Sequence, residues 1–237
     1  YMGENSKYKD MFYGWDVVNE AISDGRGTYR NENENSTWWR VYGSNEFIIN
    51  AFRFANKYVP ADVELYYNDY GMNVEGRRNT VVKMVKDMKE KGLRVDAIGM
   101  QGHMGMDYPD IKEFEESILA FASTGAKVMI TEWDMSALPT AKQGANISDT
   151  VAYRKILNPY PEALPDSVSE QWNARMEAFF NLFIKHSDVI TRVTAWGVTD
   201  GDSWKNDFPV RGRRDYPLLF DRNYQPKSFV TELIEKK

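Results

Sequence analysis

Two glutamates each stand at the end of a short, strand-like run of residues. Glu20 closes the run that begins at Phe12, and Glu132 closes the run that begins at Ala126. A carboxylate at the carboxyl end of a buried strand is costly unless a functional site uses it. The carboxyl ends of barrel strands converge on one face, and cleavage of a glycosidic bond requires two carboxyl groups. The pair therefore predicts glycosidic bond chemistry.

The surroundings of the two glutamates strengthen this prediction. Each glutamate alone has a simpler explanation, because it could cap a helix or pair with a lysine. Two further strand-like runs between them also end in polar groups, Asn68-Asp69-Tyr70 and Gln101-Gly102-His103. Together these strand ends favour a catalytic site. A retaining glycosidase then requires carboxyl groups about 5–5.5 Å apart, one as nucleophile and one as acid/base.

Composition narrows the class of protein. The 237 residues include 42% hydrophobic side chains, enough for a sizeable core, and the net charge of −5 argues against a nucleic-acid partner. With 0 Cys and 2 His, disulfides and thiol chemistry are excluded and a multi-histidine metal centre is not expected. Acid–base chemistry falls to carboxylates, and no metal or other cofactor is predicted. No apolar run reaches the roughly 18 residues of a membrane span, so none is predicted.

Strand-like and helix-like segments alternate along the chain. The patterns predict strands at about 11–19, 63–68, 95–101, 126–132 and 189–198, and helices at about 44–57, 74–91, 109–123, 169–187 and 226–235. Five βα units predict an α/β fold with a parallel sheet. A closed (β/α)8 barrel needs eight units, so the sheet is either open or part of a barrel without its first three units. The predicted loops 25–43 and 135–168 follow the strand ends that carry the glutamates.

Polar side chains near the glutamates are further candidates. Asn19 precedes Glu20 and would point the opposite way on a regular strand, so a bulge or turn is needed to bring both to one face. Asn68 either orients a carboxylate or a substrate hydroxyl, or forms an ordinary Asn-Asp turn. His103 either hydrogen-bonds a nucleophilic carboxylate or is a core histidine.

Aromatic side chains make up 14% of the chain and suit the C–H faces of sugar rings. Trp196 and Trp204 flank the loop after the last predicted strand. They either line a sugar-binding site or pack in the core, where the same residue types are used.

The motifs resemble glycoside hydrolase family 10, the retaining endo-β-1,4-xylanases. The acid/base and nucleophile motifs of that family are similar to Trp15-Asp16-Val17-Val18-Asn19-Glu20 and Ile130-Thr131-Glu132-Trp133-Asp134. The fifth-strand and sixth-strand motifs are similar to Tyr67-Asn68-Asp69-Tyr70 and Ile98-Gly99-Met100-Gln101-Gly102-His103. The last strand and closing segment resemble Trp196-Gly197-Val198-Thr199-Asp200, Ser203-Trp204 and Pro217-Leu218-Leu219-Phe220-Asp221. The resemblance covers nearly the whole chain.

This resemblance implies a role for each candidate. Glu20 is then the general acid/base, and Glu132 is the nucleophile that forms a glycosyl–enzyme intermediate. Asn19 then hydrogen-bonds the 2-hydroxyl of the sugar in subsite −1. The remaining members bind substrate or support the glutamates: Asn68, Tyr70, Gln101, His103, Trp196 and Trp204. The implied substrate is xylan or a xylo-oligosaccharide, and no cofactor is implied.

Two positions depart from the family pattern. Trp133 stands where the nucleophile motif usually has Leu, which we expect to alter packing behind the site only. Gly71 stands where the fifth-strand motif usually has Asn, and this affects an aglycone-side contact in subsite +1.

The resemblance starts just before the fourth strand of the family's barrel. We therefore expect residues 1–10 to form a junction and residues 11–237 to form the C-terminal portion of a TIM-barrel catalytic domain, with only about strands 4–8 present. The expected partner is the N-terminal part of the same domain (strands 1–3), with or without an inserted carbohydrate-binding module.

Two other functions stay open at this point. One is a non-catalytic xylan-binding or inactive fragment that needs its N-terminal half, and the other is a β-1,4-glucanase on the same scaffold. All five motifs of the catalytic face are intact, which favours the enzyme. Because xylan is too large to be imported whole, we expect a secreted, cell-surface or periplasmic protein.

Overall fold

The computed structural model describes residues 6–24, 27–140 and 155–235. In chain order, its strands are β1 (Gly14–Asn19), β2 (Glu64–Asp69), β3 (Ala97–Met100), β4 (His103–Gly105), β5 (Lys127–Ser136) and β6 (Ile190–Ala195). The main helices are α1 (Thr37–Tyr42), α2 (Glu46–Tyr58), α3 (Glu75–Glu90), α4 (Ile111–Ala122), α5 (Asp166–Lys185) and α6 (Ser228–Glu235).

The chain divides into two compact units. The first comprises Tyr1–Gln101, Lys112–Thr131 and Asp188–Arg192. The second comprises Gly102–Ile111, Glu132–Ser187 and Val193–Lys237. Strands β5 and β6 therefore contribute residues to both units.

Parallel strands form the centre of the first unit. β1 pairs with β2, β2 with β3, and β3 with the first half of β5. At least one helix lies between each of these strands and the next, as parallel pairing requires. The predicted α/β fold with a parallel sheet is therefore confirmed. Among the described residues, no strand pairs with the outer side of β1, which makes β1 an edge strand.

Burial explains the sequence patterns of this unit. In β2, every residue after Glu64 is buried, as expected for a strand covered on both faces. In α3, the buried residues Val81, Met84, Val85 and Met88 recur at helical spacing. Gly92 follows α3 with a φ of +73°, the left-handed conformation that commonly ends a helix.

A short parallel pair and a long amphipathic helix organise the second unit. β4 pairs with the last residues of β5, so that His103 lies opposite Asp134. The Trp172 indole donates to the Met135 carbonyl oxygen at 2.6 Å and ties α5 to β5. The remaining buried residues of α5 form an apolar face: Met176, Phe179, Leu182 and Phe183.

The five predicted strands and five predicted helices are present, each within four residues of its predicted ends. Among the strands and main helices given above, two were not predicted. α1 lies in the predicted loop 25–43, and β4 has three residues, too few to show a periodic pattern. The predicted loop 135–168 lies partly outside the described residues. In the part of the chain that is described, no helix has the length and apolar character of a bilayer span.

Candidate active site

Glu20 ends β1 in an uncommon backbone conformation. Its φ is +56°, in the left-handed region that few non-glycine residues adopt. The register of β1 against β2 also shifts between Asp16 and Val18. The predicted bulge or turn at this strand end is therefore confirmed. The Glu20 N–H donates to the Asn68 carbonyl at 2.9 Å, and its carboxylate accepts from Gln101 Nε2 at 2.9 Å.

Two buried side chains of β2 hold the backbone that follows Glu20. The Tyr67 hydroxyl accepts from the Ala21 N–H, and the Asp69 carboxylate accepts from the Ile22 N–H, both at 3.2 Å. The Tyr67 hydroxyl in turn donates to Asp69 at 2.6 Å. Burial raises the pKa of Asp69, although its hydrogen bonds and a neighbouring guanidinium oppose this effect.

That guanidinium belongs to Arg77 of α3, which is 2% exposed. It donates to the carbonyl oxygens of Ile22 at 3.2 Å and Ser23 at 2.9 Å, and to Asp69 at 2.6 Å. Sequence reasoning missed Arg77, because an arginine in a charged helix is usually read as solvent-facing. Its only signal was its position in the first turn of the helix after Asp69 and Tyr70.

Asn68 fixes the orientation of Asn19. Asn68 Nδ2 donates to Asn19 Oδ1 at 2.9 Å, and Asn68 Oδ1 accepts from the Thr131 hydroxyl at 2.6 Å. Asn68 is 3% exposed and lies against Gly99, where a Cβ atom would stand 2.4 Å from Asn68 Oδ1. Asn68 is therefore a buried strand residue that orients another amide, and the simpler turn interpretation is wrong.

Tyr70 lies against two guanidinium groups of the same unit. Arg77 is 4.6 Å and Arg30 is 5.5 Å from its ring centroid. Its hydroxyl donates to Asp24 and accepts from Arg30. Burial, together with the hydrogen bond to Asp24, raises the pKa of Tyr70 to about 12. Its hydroxyl therefore stays protonated near neutral pH.

In the second unit, His103 lies between two carboxylates. Its Nε2 is 3.3 Å from Glu132 Oε2, and its Nδ1 is 3.0 Å from Asp134 Oδ1. The second contact has ion-pair length but not hydrogen-bond direction. Burial lowers the pKa of His103, but the two carboxylates outweigh burial, so the pKa is raised. The predicted contact of His103 with Glu132 is confirmed, whereas the predicted support of Glu132 by Gln101 stays a prediction.

Asp134 and the two candidate tryptophans complete this part of the site. Asp134 is fully buried, accepts from Trp204 Nε1 at 2.9 Å and lies 3.4 Å from Lys205 Nζ. The Trp204 ring packs edge-on against the His103 ring at 5.1 Å. Trp204 and Trp196 are 42% and 47% exposed, so burial in the core is the wrong explanation for either. Both indoles present surface to solvent.

A cavity of about 810 Å³ opens beside Glu20 in the first unit. Residues 16–21 line one wall, and α1 and α2 supply apolar side chains that include Trp38, Tyr42 and Phe54. Trp38 is 64% exposed and Phe54 is 61% exposed. We call this cavity the β1 groove. Among the described residues, no group of three or more His, Asp or Glu side chains is arranged to bind a metal ion.

A family model described as Glycosyl hydrolase family 10 matches residues 4–236. The chain belongs to glycosyl hydrolase family 10. The Endo-1,4-beta-xylanase A of Xylanibacter ruminicola is 46% identical over 231 residues, which cover 97% of this chain and 61% of the relative. The Beta-1,4-xylanase of Dictyoglomus thermophilum is 38% identical over 228 residues, with 96% and 59% covered.

Solved structures agree with the family 10 assignment. A GH10 endoxylanase retrieved from a sugarcane soil metagenome superposes with a TM-score of 0.85 at 37% identity, covering 97% of this chain and 64% of that one. GH10 from Paenibacillus barcinonensis gives a TM-score of 0.83 at 35% identity, with 97% and 63% covered. The chain thus spans about three-fifths of the length of these relatives. The family and these structures imply the (β/α)8 barrel class.

Packing and backbone conformation account for the two residues that depart from the family 10 motifs. Trp133 is 4% exposed and packs edge-on against Phe183 at 5.2 Å and Phe229 at 6.1 Å, so it fills core space. Gly71 has a φ of +57°, a conformation that Asn also tolerates better than most residues. Exchange of Asn for Gly therefore keeps the backbone and removes only a side chain.

Proposed function

We propose that the protein is a retaining endo-β-1,4-xylanase, with Glu132 as nucleophile and Glu20 as general acid/base. The observation that carries the proposal is the different surroundings of the two glutamates. Glu132 has an imidazole 3.3 Å away, and Glu20 accepts from an uncharged amide at 2.9 Å. The neighbouring imidazole suits Glu132 as the nucleophile, and the assignment of Glu20 as general acid/base follows its place in the family 10 motifs. The xylanase relatives support the choice of substrate.

The proposed reaction proceeds in two displacements. The Glu132 carboxylate attacks the anomeric carbon of a xylosyl unit, and the bond to the leaving oxygen breaks as Glu20 transfers its proton to that oxygen. Glu20 then removes a proton from water, which attacks the same carbon and releases Glu132. Retaining glycosidases that use this mechanism hold their two carboxyl groups about 5–5.5 Å apart.

The other candidates bind the sugars or hold the glutamates. Asn19, oriented by Asn68, hydrogen-bonds the 2-hydroxyl of the sugar in subsite −1. His103 and Gln101 support the carboxylates. The exposed indoles and the Tyr70 hydroxyl contact substrate: Trp196 and Trp204 beside subsite −1, and Tyr70 on the aglycone side.

The chain itself is proposed to supply strands 4–8 of the barrel, with residues 1–10 as a junction and residues 11–237 as the C-terminal portion of the catalytic domain. Residues 1–5 lie outside the described part. The unpaired edge of β1 and the exposed aromatic side chains of the β1 groove support docking of an N-terminal part that carries strands 1–3, with or without an inserted carbohydrate-binding module. The share of the relatives that the chain covers, 61% in the first case, also supports this division. Because xylan is a polymer, the site of action is proposed to be outside the cytoplasm.

Reducing-sugar release from xylan tests the function. The chain is assayed alone and together with the N-terminal part, with Glu132→Ala as the inactive variant and Glu90→Ala, an exposed glutamate of α3, as the matched control. Activity that is lost only in Glu132→Ala supports the proposal. Equal activity in Glu132→Ala excludes Glu132 as nucleophile, and a preference for β-1,4-glucan would identify a glucanase instead. Xylan binding without hydrolysis in either form would identify a non-catalytic fragment.

A further inference from the structure

We infer that Tyr67, Asp69 and Arg77 are positioning residues that hold the backbone at Glu20 and thereby aim its carboxyl group for proton transfer. The inference rests on the proposed acid/base role of Glu20. None of the three side chains is described as contacting the Glu20 carboxylate, so they act through the main chain. We call the three residues the backbone clamp.

The first argument is the conformation that must be maintained. A non-glycine residue with φ near +56° persists only where its surroundings fix the chain on both sides. On one side, β1 pairs with β2 up to Asn19. On the other side, the clamp binds both main-chain groups of Ile22 and one each of Ala21 and Ser23.

The second argument is the rigidity of the clamp itself. Tyr67 and Asp69 are fully buried and Arg77 is 2% exposed, so water does not compete for their hydrogen bonds. Asp69 joins the other two members, at 2.6 Å to each. Arg77 Nε also donates to the Tyr70 carbonyl at 3.1 Å, which anchors the guanidinium to the end of β2. The set has the properties of a scaffold that holds a loop residue in one geometry.

The third argument comes from the chemistry of a general acid. Its proton must lie within hydrogen-bond distance of the leaving oxygen, so a small displacement of the backbone reduces protonation. The loss is largest for a leaving group that needs the proton, such as phenol. An acidic leaving group such as dinitrophenol departs without it and is affected least.

Amide hydrogen exchange tests the clamp without any substrate. In Tyr67→Phe and Arg77→Lys, which keep side-chain size, we expect exchange at Ala21 and Ile22 to accelerate roughly tenfold. Arg94→Met is the matched control, because Arg94 donates to the carbonyls of Pro60, Ala61 and Val63 before β2. Wild-type protection of both amides in the two clamp variants would overturn the inference.

Leaving-group dependence tests the catalytic consequence. For Tyr67→Phe, kcat/KM on phenyl β-xylobioside should fall roughly tenfold more than on the dinitrophenyl substrate. Equal loss on both substrates would mean general destabilisation and would reject the positioning role. The acid/base proposal fails separately if Glu20→Ala shows no such dependence, and the exchange experiment still decides whether the clamp holds the backbone.

Discussion

At the scale of single residues, the two glutamates have identical side chains but different neighbours. Glu20 faces the uncharged amide of Gln101, whereas Glu132 faces His103, which is itself backed by the buried Asp134. A positive φ at Glu20 is an energetic cost of roughly 1–2 kcal/mol that the surrounding hydrogen bonds must offset. The geometry of the site is therefore a property of residues that do not themselves react.

We expect His103→Gln to lower the free energy of unfolding more in acid than in alkali. Folding raises the pKa of His103 and so favours its protonated form. This contribution is complete below the ordinary pKa of about 6.5 and is lost as the pH rises through the raised value. Urea unfolding of wild type and variant at pH 5.5 and pH 9 measures the effect, with His186→Gln as the control. A difference between the two proteins that stays constant or widens toward pH 9 would contradict the assignment.

At the scale of elements, close contact between neighbouring strands orients Asn19. The side-chain amide of Asn68 on β2 lies where a Cβ atom at Gly99 of β3 would be. The Thr131 hydroxyl on β5 donates a hydrogen bond to the same amide. One side chain therefore spans three strands, and the contact depends on a glycine.

Gly99→Ala should destabilise the protein by about 1–3 kcal/mol, because the new Cβ would lie 2.4 Å from Asn68 Oδ1 and 2.9 Å from Thr131 Cγ2. Thermal unfolding measures the loss. Gly201→Ala is the matched control, since its nearest atom would be 3.3 Å away. If both variants unfold with the same midpoint, the contact between Asn68 and Gly99 does not constrain the strand.

Trp133→Leu restores the residue that the family usually carries, yet it should destabilise this chain by about 1–3 kcal/mol. The indole fills space against Phe183 and Phe229, and Leu would leave part of that space empty. The loss is smaller than for most buried tryptophans, because the Trp133 indole N–H has no hydrogen-bond partner among the described residues. Equilibrium unfolding in urea provides the measurement, and a variant as stable as wild type would show that the core repacks around Leu.

The elements also show where prediction from sequence works and where it stops. α3 was predictable because its buried residues recur at helical spacing, and β2 because it is a short apolar and aromatic run bounded by turn residues. Glu20 and Glu132 were predictable because each ends such a run. Arg77 was not, because its partners at Ile22 and Ser23 are more than 50 residues away and are main-chain carbonyls, which leave no trace in side-chain pattern.

At the scale of the whole molecule, the β1 groove is the surface to which we propose that the N-terminal part binds. Exposed aromatic side chains beside an unpaired parallel strand favour association with another segment of sheet and helix. The same exposure means that the groove contributes little to the stability of the chain alone.

Trp38→Glu and Phe54→Glu should therefore weaken association with the N-terminal part at least tenfold and leave the thermal midpoint of the isolated chain within a few degrees of wild type. Isothermal titration calorimetry measures the affinity. Leu119→Glu is the matched control, because Leu119 is 52% exposed on α4 and does not line the groove. Undiminished affinity in both groove variants would place the partner elsewhere.

Association at the β1 groove can also be followed by thiol chemistry. These 237 residues include 0 Cys, so a cysteine introduced at Ala51, on the groove wall formed by α2, would be the sole thiol in this chain. Its rate of alkylation would be high while the groove is open and would drop when another segment covers it. With one substitution, the alkylation rate therefore reports in real time whether another segment covers the edge of β1, in any mixture that contains no competing thiol.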